Sequence, residues 1–125
     1  MPVLGEWVDG ALCFSVGEAS RKGKNLARDS RCVIMVGSRY LDLMVEGDAT
    51  KVSDRASLHP VADAYASKYG WRATVSNGAF YADGAPTAGP PPYAVYEVAP
   101  TTVFGFGTDE TFRSTRWRFR RELVP

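Results

Sequence analysis

The sequence predicts a β-rich α+β protein, most simply a small antiparallel barrel of about six strands with two helices. Short apolar segments with partial alternation, separated by Gly, Pro, Asn and Asp, recur along the chain and indicate strands. Two other segments have helical features, one of them basic and one with apolar residues three and four positions apart. The length of 125 residues suits a single domain, residues 1–125, with one hydrophobic core.

The first half of the chain contains most of the predicted regular structure. Strands are predicted at residues 2–8, 11–16, 31–36 and 40–52. Asp9-Gly10 predicts a tight hairpin turn between the first two strands. Gly47, inside the fourth strand, predicts a bulge or a sharp bend.

Two helices are predicted, at about residues 20–27 and residues 58–69. Ser20 can cap the first helix through its hydroxyl group. Ser53 and Asp54 precede the second helix, and Gly70 predicts a left-handed stop at its end. Because Pro60 lies inside this second segment, we expect the helix to start late or to bend there.

Residues 72–92 are rich in Gly, Pro and Ala and predict a long loop that is either functional or mobile. Phe80 and Tyr81 in this loop would lie over a ligand or anchor the loop to the core. Three further strands are predicted, at residues 93–98, 102–106 and 115–119, the first two joined at Ala99-Pro100. The last strand alternates arginines with aromatic residues, which gives it one basic face.

Composition excludes several classes of protein. The net charge of +1 gives no electrostatic footprint for nucleic acid. No apolar run approaches the roughly 18–20 residues that a membrane span requires, and no signal peptide is visible. We interpret Cys13 and Cys32, both in apolar strands, as reduced core residues of a cytoplasmic protein rather than as a disulfide.

The sequence contains no self-sufficient catalytic machinery. His59 is the single histidine, and its place beside Pro60 at a helix start predicts a surface or capping role. A Ser-His-Asp arrangement, a Cys/His metal spacing and a phosphate-binding glycine motif are all lacking. We therefore assign no catalytic residue and no metal site, and if the protein is an enzyme a cofactor must carry the reaction.

The predicted first helix has an unusual charge distribution. Arg21, Lys22 and Lys24 cluster in its first turn, where the helix macrodipole disfavours cations. Such a basic run is either a solvated helix face or a phosphate site, in which an anion gains from free N–H groups and from the cations together. The basic residues alone leave both interpretations open.

The segment from Ser20 to Leu26, Ser-Arg-Lys-Gly-Lys-Asn-Leu, resembles the Ser-x-Lys-x-x-Asn-Leu segment of the pyridoxamine phosphate oxidase-like superfamily. Its members are split β-barrels that bind FMN or the deazaflavin coenzyme F-420. The resemblance continues in order through residues 2–15, 43–52, 64–71, 93–106 and 115–119. Residues 68–71 and 92–98 resemble the actinobacterial deazaflavin-dependent oxidoreductases more than the vitamin-B6 branch.

The resemblance implies a homodimeric oxidoreductase that uses FMN or F-420 to transfer a hydride to or from a small conjugated substrate. Ser20, Lys22 and Asn25 match the segment that holds the cofactor phosphate in the family, with Arg21 and Lys24 beside them. In the family, the strands on either side of this helix also line the cofactor ring. A C-terminal position approaches the cofactor as well, often from the other subunit. These implied cofactor contacts are Ser15, Val36, Trp117 and Arg118, although Trp117 suits a core or dimer-interface position equally well.

A second hypothesis is a non-catalytic dimeric binding module for a flavin or a tetrapyrrole. Family members usually carry a helix and a strand before the stretch that begins at Pro2, so the resemblance implies that a first strand is missing here. The loss of a strand would expose a sheet edge, and we expect that it can leave the protein without its cofactor.

Overall fold

The computed structural model describes residues 5–8, 10–37, 41–82, 90–107 and 114–119. The starts of the predicted strands at residues 2–8 and 40–52, that is residues 2–4 and residue 40, lie outside the described residues. Within them, eight strands and two helices follow the chain in this order: β1 (Gly5–Val8), β2 (Ala11–Gly17), α1 (Arg21–Arg28), β3 (Arg31–Gly37), β4 (Leu41–Val52), α2 (Arg55–Tyr69), β5 (Thr74–Ser76), β6 (Ala79–Tyr81), β7 (Tyr93–Gly107) and β8 (Ser114–Arg118).

The strand pairs of known register are all antiparallel: β1 with β2, β2 with β7, β3 with β4, β5 with β6, β6 with β7, and β7 with β8. This confirms the predicted β-rich α+β class. Neither helix among the described residues has the length and apolar character needed to cross a membrane.

The chain divides into two compact units, which are described separately. The first unit contains Met1–Ser30 and Ala49–Val98, and the second contains Arg31–Asp48 and Ala99–Pro125. Strands β4 and β7 contribute residues to both units. The prediction of a single domain is not tested by this division.

The first unit is built on the β1–β2 hairpin and the first half of β7. Val8 pairs with Ala11, and Gly10 has a φ of 81°, as the predicted tight hairpin turn requires, while Asp9 lies outside the described residues. Helix α2 packs against these strands through apolar side chains. The core of this unit consists of Cys13, Val52, Leu58, Val61, Ala62, Tyr65, Phe80, Tyr93 and Val95.

Helix α2 begins at Arg55, three residues before the predicted start. The Asp54 carboxylate accepts a hydrogen bond from the Ser57 N–H at 2.9 Å, and this caps the helix. Pro60 removes the N–H that would bond to the Ala56 carbonyl, but both residues are exposed, so water can satisfy that carbonyl. At the other end, Gly70 has a φ of 65° and forms the left-handed stop that the sequence predicts.

The predicted loop at residues 72–92 contains a hairpin that the sequence prediction missed. Strands β5 and β6 pair across Asn77 and Gly78, whose φ values of 50° and 71° are those of a tight hairpin turn. Phe80 on β6 is fully buried in the core, so it anchors this segment and does not lie over a ligand. Residues 83–89 lie outside the described part of the chain.

The second unit contains β3, most of β4, the second half of β7, and β8. Strand β3 pairs with β4, β4 is hydrogen-bonded to β7, and β7 pairs with β8. The register from Arg31–Asp48 to Gly37–Asp42 is regular through Gly47, so the predicted bulge is absent from this pairing.

Strand β7 is one continuous strand and not the two strands predicted. Pro100 lies between Val98, which pairs with β2, and Thr102, which pairs with β8. A proline, which has no N–H to donate, is tolerated where the neighbouring strand changes.

Candidate functional site

The start of helix α1 is held by Ser20, as predicted. The Ser20 hydroxyl accepts a hydrogen bond from the Gly23 N–H at 3.1 Å and donates one to the Gly17 carbonyl at 2.6 Å. Gly17 is the last residue of β2. One side chain therefore caps the helix and fixes its first turn to the end of the preceding strand.

Gly23 allows the helix to approach this strand end closely. A Cβ atom at this position would lie 2.5 Å from the Gly17 carbonyl oxygen and 3.0 Å from the Glu18 carbonyl oxygen. Because both neighbours are backbone atoms, no side-chain adjustment could relieve the clash. Gly23 therefore determines how closely the helix start approaches the end of β2. The sequence prediction did not single out this residue, although a glycine in the first turn of a helix can indicate a close backbone approach.

The first turn of α1 has an uncompensated positive charge. Arg21 and Lys24 are exposed, while Lys22 is partly buried and desolvation lowers its pKa below the ordinary value of 10.5. The first turn has no acidic residue, and within the described part of the chain Lys22 has no ion-pair partner. Glu18, the acid nearest in sequence, pairs with Lys51 at 3.5 Å.

These features fit a phosphate group. The first N–H groups of a helix have no acceptor within the helix, and here they lie beside cations that have no counter-ion in the described part of the chain. The Ser20 proton is already donated to Gly17, so Ser20 positions the helix start and has no proton left for an anion.

Asn25 is exposed in the middle of α1, and its side-chain oxygen accepts a hydrogen bond from the Arg28 guanidinium at 3.0 Å. Its NH₂ group remains available as a donor. Arg28, at the far end of the helix, is therefore connected to a residue of the predicted site.

Ser15 lies within the core of the first unit. It is 9% exposed, it shares a face of β2 with the core residue Cys13, and it hydrogen-bonds Tyr65. Burial raises the pKa of the Tyr65 hydroxyl, and the contact with Ser15 opposes part of this rise. The Ser15 hydroxyl is thus engaged with helix α2, a pairing that no local sequence pattern indicates.

The other predicted residues lie in the second unit. Val36 on β3 is half-buried and pairs with Leu43. On β8, Trp117 pairs with Val103 and Arg118 pairs with Thr102. Successive strand residues point to opposite faces, so Trp117 and Arg118 face different sides of the sheet and cannot reach one ligand from the same face.

Cys13 is buried in the core as the sequence interpretation expects, whereas Cys32 is only half-buried. Cys13 and Cys32 are both free thiols. Burial, together with the neighbouring Asp48 carboxylate, raises the pKa of the Cys32 thiol, which keeps it protonated and unreactive at neutral pH. Within the described residues, no group of three or more His, Cys, Asp or Glu side chains is arranged to hold a metal ion.

The elements and their pairing define a split-barrel protein of the α+β class. The family model described as pyridoxamine 5'-phosphate oxidase matches residues 1–107, and the chain belongs to this family. The predicted superfamily is thereby confirmed, while the deazaflavin branch stays a prediction. No curated protein matches the chain significantly.

Two solved structures are similar to this chain. A heme binding protein from Mycobacterium smegmatis matches with a TM-score of 0.60 and 20% identity over 93% of this chain. This chain spans 45% of that protein's length, and the likeness shows the common fold. A pyridoxamine 5'-phosphate oxidase-related, FMN binding protein from Nostoc punctiforme matches with a TM-score of 0.49 and 16% identity, over 95% of this chain and 78% of the other.

Proposed function

We propose that this protein binds FMN or coenzyme F-420 through the cofactor phosphate and acts as an oxidoreductase on a small conjugated substrate. The observation that carries the proposal is the first turn of α1, in which partly buried Lys22 and its basic neighbours have no counter-ion among the residues that the structure describes. Membership in a family named for an oxidase of a phosphorylated substrate supports the same assignment.

The residues of α1 have distinct proposed roles. Lys22 contacts the phosphate, because a partly desolvated ammonium gains most from an anion. Arg21 and Lys24 flank it and add long-range attraction from the solvent side. Ser20 holds the helix start in place, and Asn25 offers its NH₂ group.

The cofactor, when bound, would supply the hydride chemistry that the side chains of this protein do not provide. The residues of the chain would bind and orient it. Ser15, whose hydroxyl is engaged with Tyr65, is proposed as a contact through its backbone in β2. Val36 and Trp117 are further proposed contacts, and Arg118, which faces the other side of β8, is proposed to approach the cofactor of the other subunit.

We further propose a homodimer that works in the cytoplasm, with no nucleic-acid or membrane partner. Support for the dimer comes from large apolar side chains that stay exposed, among them Trp7, Val33, Met35, Phe106 and Phe119. Monomeric proteins seldom leave so much apolar surface in water. The net charge of +1 argues against a nucleic-acid partner.

The second candidate function is a non-catalytic binding module for a tetrapyrrole or a flavin. The fold likeness to a heme binding protein from Mycobacterium smegmatis favours it. Against it, His59 is the chain's single histidine and lies exposed on α2, so it is poorly placed as a buried axial ligand.

Titration of the purified protein with FMN, F-420 and hemin, followed by visible absorption, distinguishes these functions. We expect FMN or F-420 to bind with a changed spectrum and the reduced cofactor to be reoxidised by a small conjugated acceptor. Binding of hemin in preference to both would favour the tetrapyrrole module. A flavin that binds but is never turned over would favour the non-catalytic flavin module.

A further inference from the structure

Strand β1 lies at one end of the strand order in the sheet. Among the described residues it pairs with β2 and with no other strand, so its second edge has no neighbouring strand there. An uncovered strand edge is a template on which another extended chain can add. The backbone groups of β1 on this side therefore either face water or are covered by side chains.

The register of the β1–β2 hairpin identifies the backbone groups at this edge. Val8 and Ala11 flank a turn of two residues, and the closing pair of such a hairpin is hydrogen-bonded. Hydrogen-bonded and non-hydrogen-bonded pairs alternate along an antiparallel ladder. The backbone of Glu6 therefore bonds to β2, whereas the N–H and C=O groups of Gly5 and Trp7 point away from it.

The last turn of helix α2 covers the outward carbonyl of Gly5 with two donors. The Tyr69 hydroxyl donates to this oxygen at 2.7 Å, and the Lys68 ammonium donates to it at 3.2 Å. The Tyr69 ring packs edge-on against the buried Tyr65, with 5.9 Å between the ring centroids. Because a carbonyl oxygen has two lone pairs, two donors saturate it.

Glu6 covers the neighbouring outward donor. Its Oε1 atom accepts a hydrogen bond from the Trp7 N–H at 3.1 Å, and its Oε2 atom lies 3.8 Å from the Lys68 ammonium nitrogen. The outward carbonyl thus has its donors, the outward N–H has its acceptor, and an ion pair joins the two sets. We call Glu6, Lys68 and Tyr69 the edge cap, and all three belong to the first unit.

We infer that the edge cap closes β1 to the addition of another strand. The Gly5 carbonyl and the Trp7 N–H are the two groups that one residue of a parallel strand would bind, and both are occupied. An added strand would have to break these hydrogen bonds and displace two charged side chains. The cap has something to guard, since the Trp7 side chain at this edge is aromatic and 45% exposed, a composition that favours strand pairing.

The cap should affect association more than fold stability. The side chains of Lys68 and Glu6 are 50% and 21% exposed, and ion pairs in such positions contribute little to the free energy of unfolding. Removal of the cap should therefore leave a folded protein with an open edge. This difference separates a guard of the edge from a set of ordinary stabilising contacts.

The test opens the cap and follows association of the folded protein by light scattering and by thioflavin T, a dye that reports β-sheet assembly. The opened variant carries Glu6→Ala, Lys68→Met and Tyr69→Phe, which together keep the net charge and the ring at position 69. We expect it to associate at least about tenfold faster than the wild type at equal concentration.

A matched control makes the same kinds of change away from the edge cap. It carries Asp63→Ala and Arg72→Met at exposed positions and Tyr81→Phe at a half-buried one, and it also keeps the net charge. We expect this control to associate like the wild type. Because every rate is compared with that of the wild type, the result does not depend on the oligomeric state of the wild type.

A proline at the edge distinguishes strand addition from other kinds of association. The Trp7 N–H points away from β2, so Trp7→Pro removes an edge donor without removing a hydrogen bond of the β1–β2 ladder. In the opened variant, Trp7→Pro should restore the slow association of the wild type. Trp7→Ala removes the same exposed ring but keeps the N–H, so it should leave most of the faster association in place.

Three results would overturn the inference. The first is an opened variant that is folded by circular dichroism and associates no faster than the matched control. The second is faster association that Trp7→Pro and Trp7→Ala slow equally, because the exposed ring and not the backbone edge would then be responsible. The third is loss of the folded spectrum in the opened variant, which would mean that these side chains hold the fold itself.

Discussion

The ring of Trp117 lies directly over Gly105, so close that a Cβ atom at position 105 would be 2.8 Å from it. Trp117 is 44% exposed, yet its buried edge depends on the absence of a side chain on the neighbouring strand. Trp117 therefore lies on the face that also holds Leu41, and Arg118, the next residue of β8, lies on the opposite face.

Gly105→Ala should therefore destabilise the protein by about 1 kcal/mol, because the added methyl group displaces the Trp117 ring. In a Trp117→Ala background the same change should cost nothing, as a double-mutant cycle by chemical denaturation would show. Gly37→Ala is the matched control, since its Cβ would lie 3.7 Å from the Asp42 carboxylate, an ordinary contact. An equal cost of Gly105→Ala in both backgrounds would mean that the ring does not limit this position.

Tyr65→Phe should cost about 1–2 kcal/mol, because it leaves the buried Ser15 hydroxyl without this partner. Ser15→Ala added to Tyr65→Phe should recover part of this loss, and the half-buried Tyr81→Phe should be close to neutral. Denaturation with urea at neutral pH measures all three. Identical losses for Tyr65→Phe and Tyr81→Phe would contradict the importance of the Ser15 contact.

Tyr65 also predicts a stability change at alkaline pH. Burial raises its pKa, so its contribution is fully present below the ordinary tyrosine pKa of about 10 and is lost as the pH rises toward the raised value. The free energy of unfolding should fall more steeply above pH about 10 in the wild type than in Tyr65→Phe. Parallel curves for the two proteins would argue against a buried, neutral Tyr65.

For Asp54 we predict the opposite pH dependence of the free energy of unfolding, a loss of stability at acidic pH. Hydrogen bonds from Ser57 lower the pKa of the Asp54 carboxyl below its ordinary value of 3.8. Its contribution is therefore present above that value and is lost as the pH falls through the lowered pKa. Asp54→Asn keeps a capping oxygen, so it should match the wild type at pH about 7 and show a flatter acid limb. An unchanged acid limb in thermal melts would rule out this linkage.

Ser20→Ala should destabilise the protein by about 1–2 kcal/mol, because the helix cap and the bond to Gly17 are lost together. Ser20→Thr should retain most of the stability, and Ser67→Ala on the exposed face of α2 should have little effect. If Ser20→Ala and Ser67→Ala unfold at the same denaturant concentration, the hydroxyl does not hold the helix start.

Local chemistry predicts several of these features from the sequence. The Ser20 cap, the Gly70 stop and the turn at Gly10 each depend on neighbours within four residues, and the structure contains all three. The hairpin at Asn77-Gly78 carried an equally local signal, which the surrounding Gly- and Pro-rich composition obscured.

Features that depend on tertiary packing were not predictable in this way. The continuity of β7 through Pro100 depends on where β2 ends and β8 begins. In the candidate site, the charges of Arg21, Lys22 and Lys24 are visible in the sequence. Which of them is partly buried depends on how the helix lies against its surroundings, and only the structure identifies Lys22.

The phosphate site itself is tested by comparing FMN with riboflavin, which has the same ring system but no phosphate. Dissociation constants for both ligands are measured with the wild type, Lys22→Ala and Arg55→Ala. Arg55, an exposed cation in the first turn of α2, is a better control than Arg28, which hydrogen-bonds Asn25.

We predict that the wild type prefers FMN and that Lys22→Ala weakens FMN binding about tenfold to a hundredfold, as a charge-assisted contact of roughly 1.5–3 kcal/mol requires. Riboflavin binding should be the same in all three proteins, and Arg55→Ala should bind FMN like the wild type. If the wild type does not distinguish FMN from riboflavin, or if Lys22→Ala and Arg55→Ala bind FMN equally well, the first turn of α1 does not hold the phosphate.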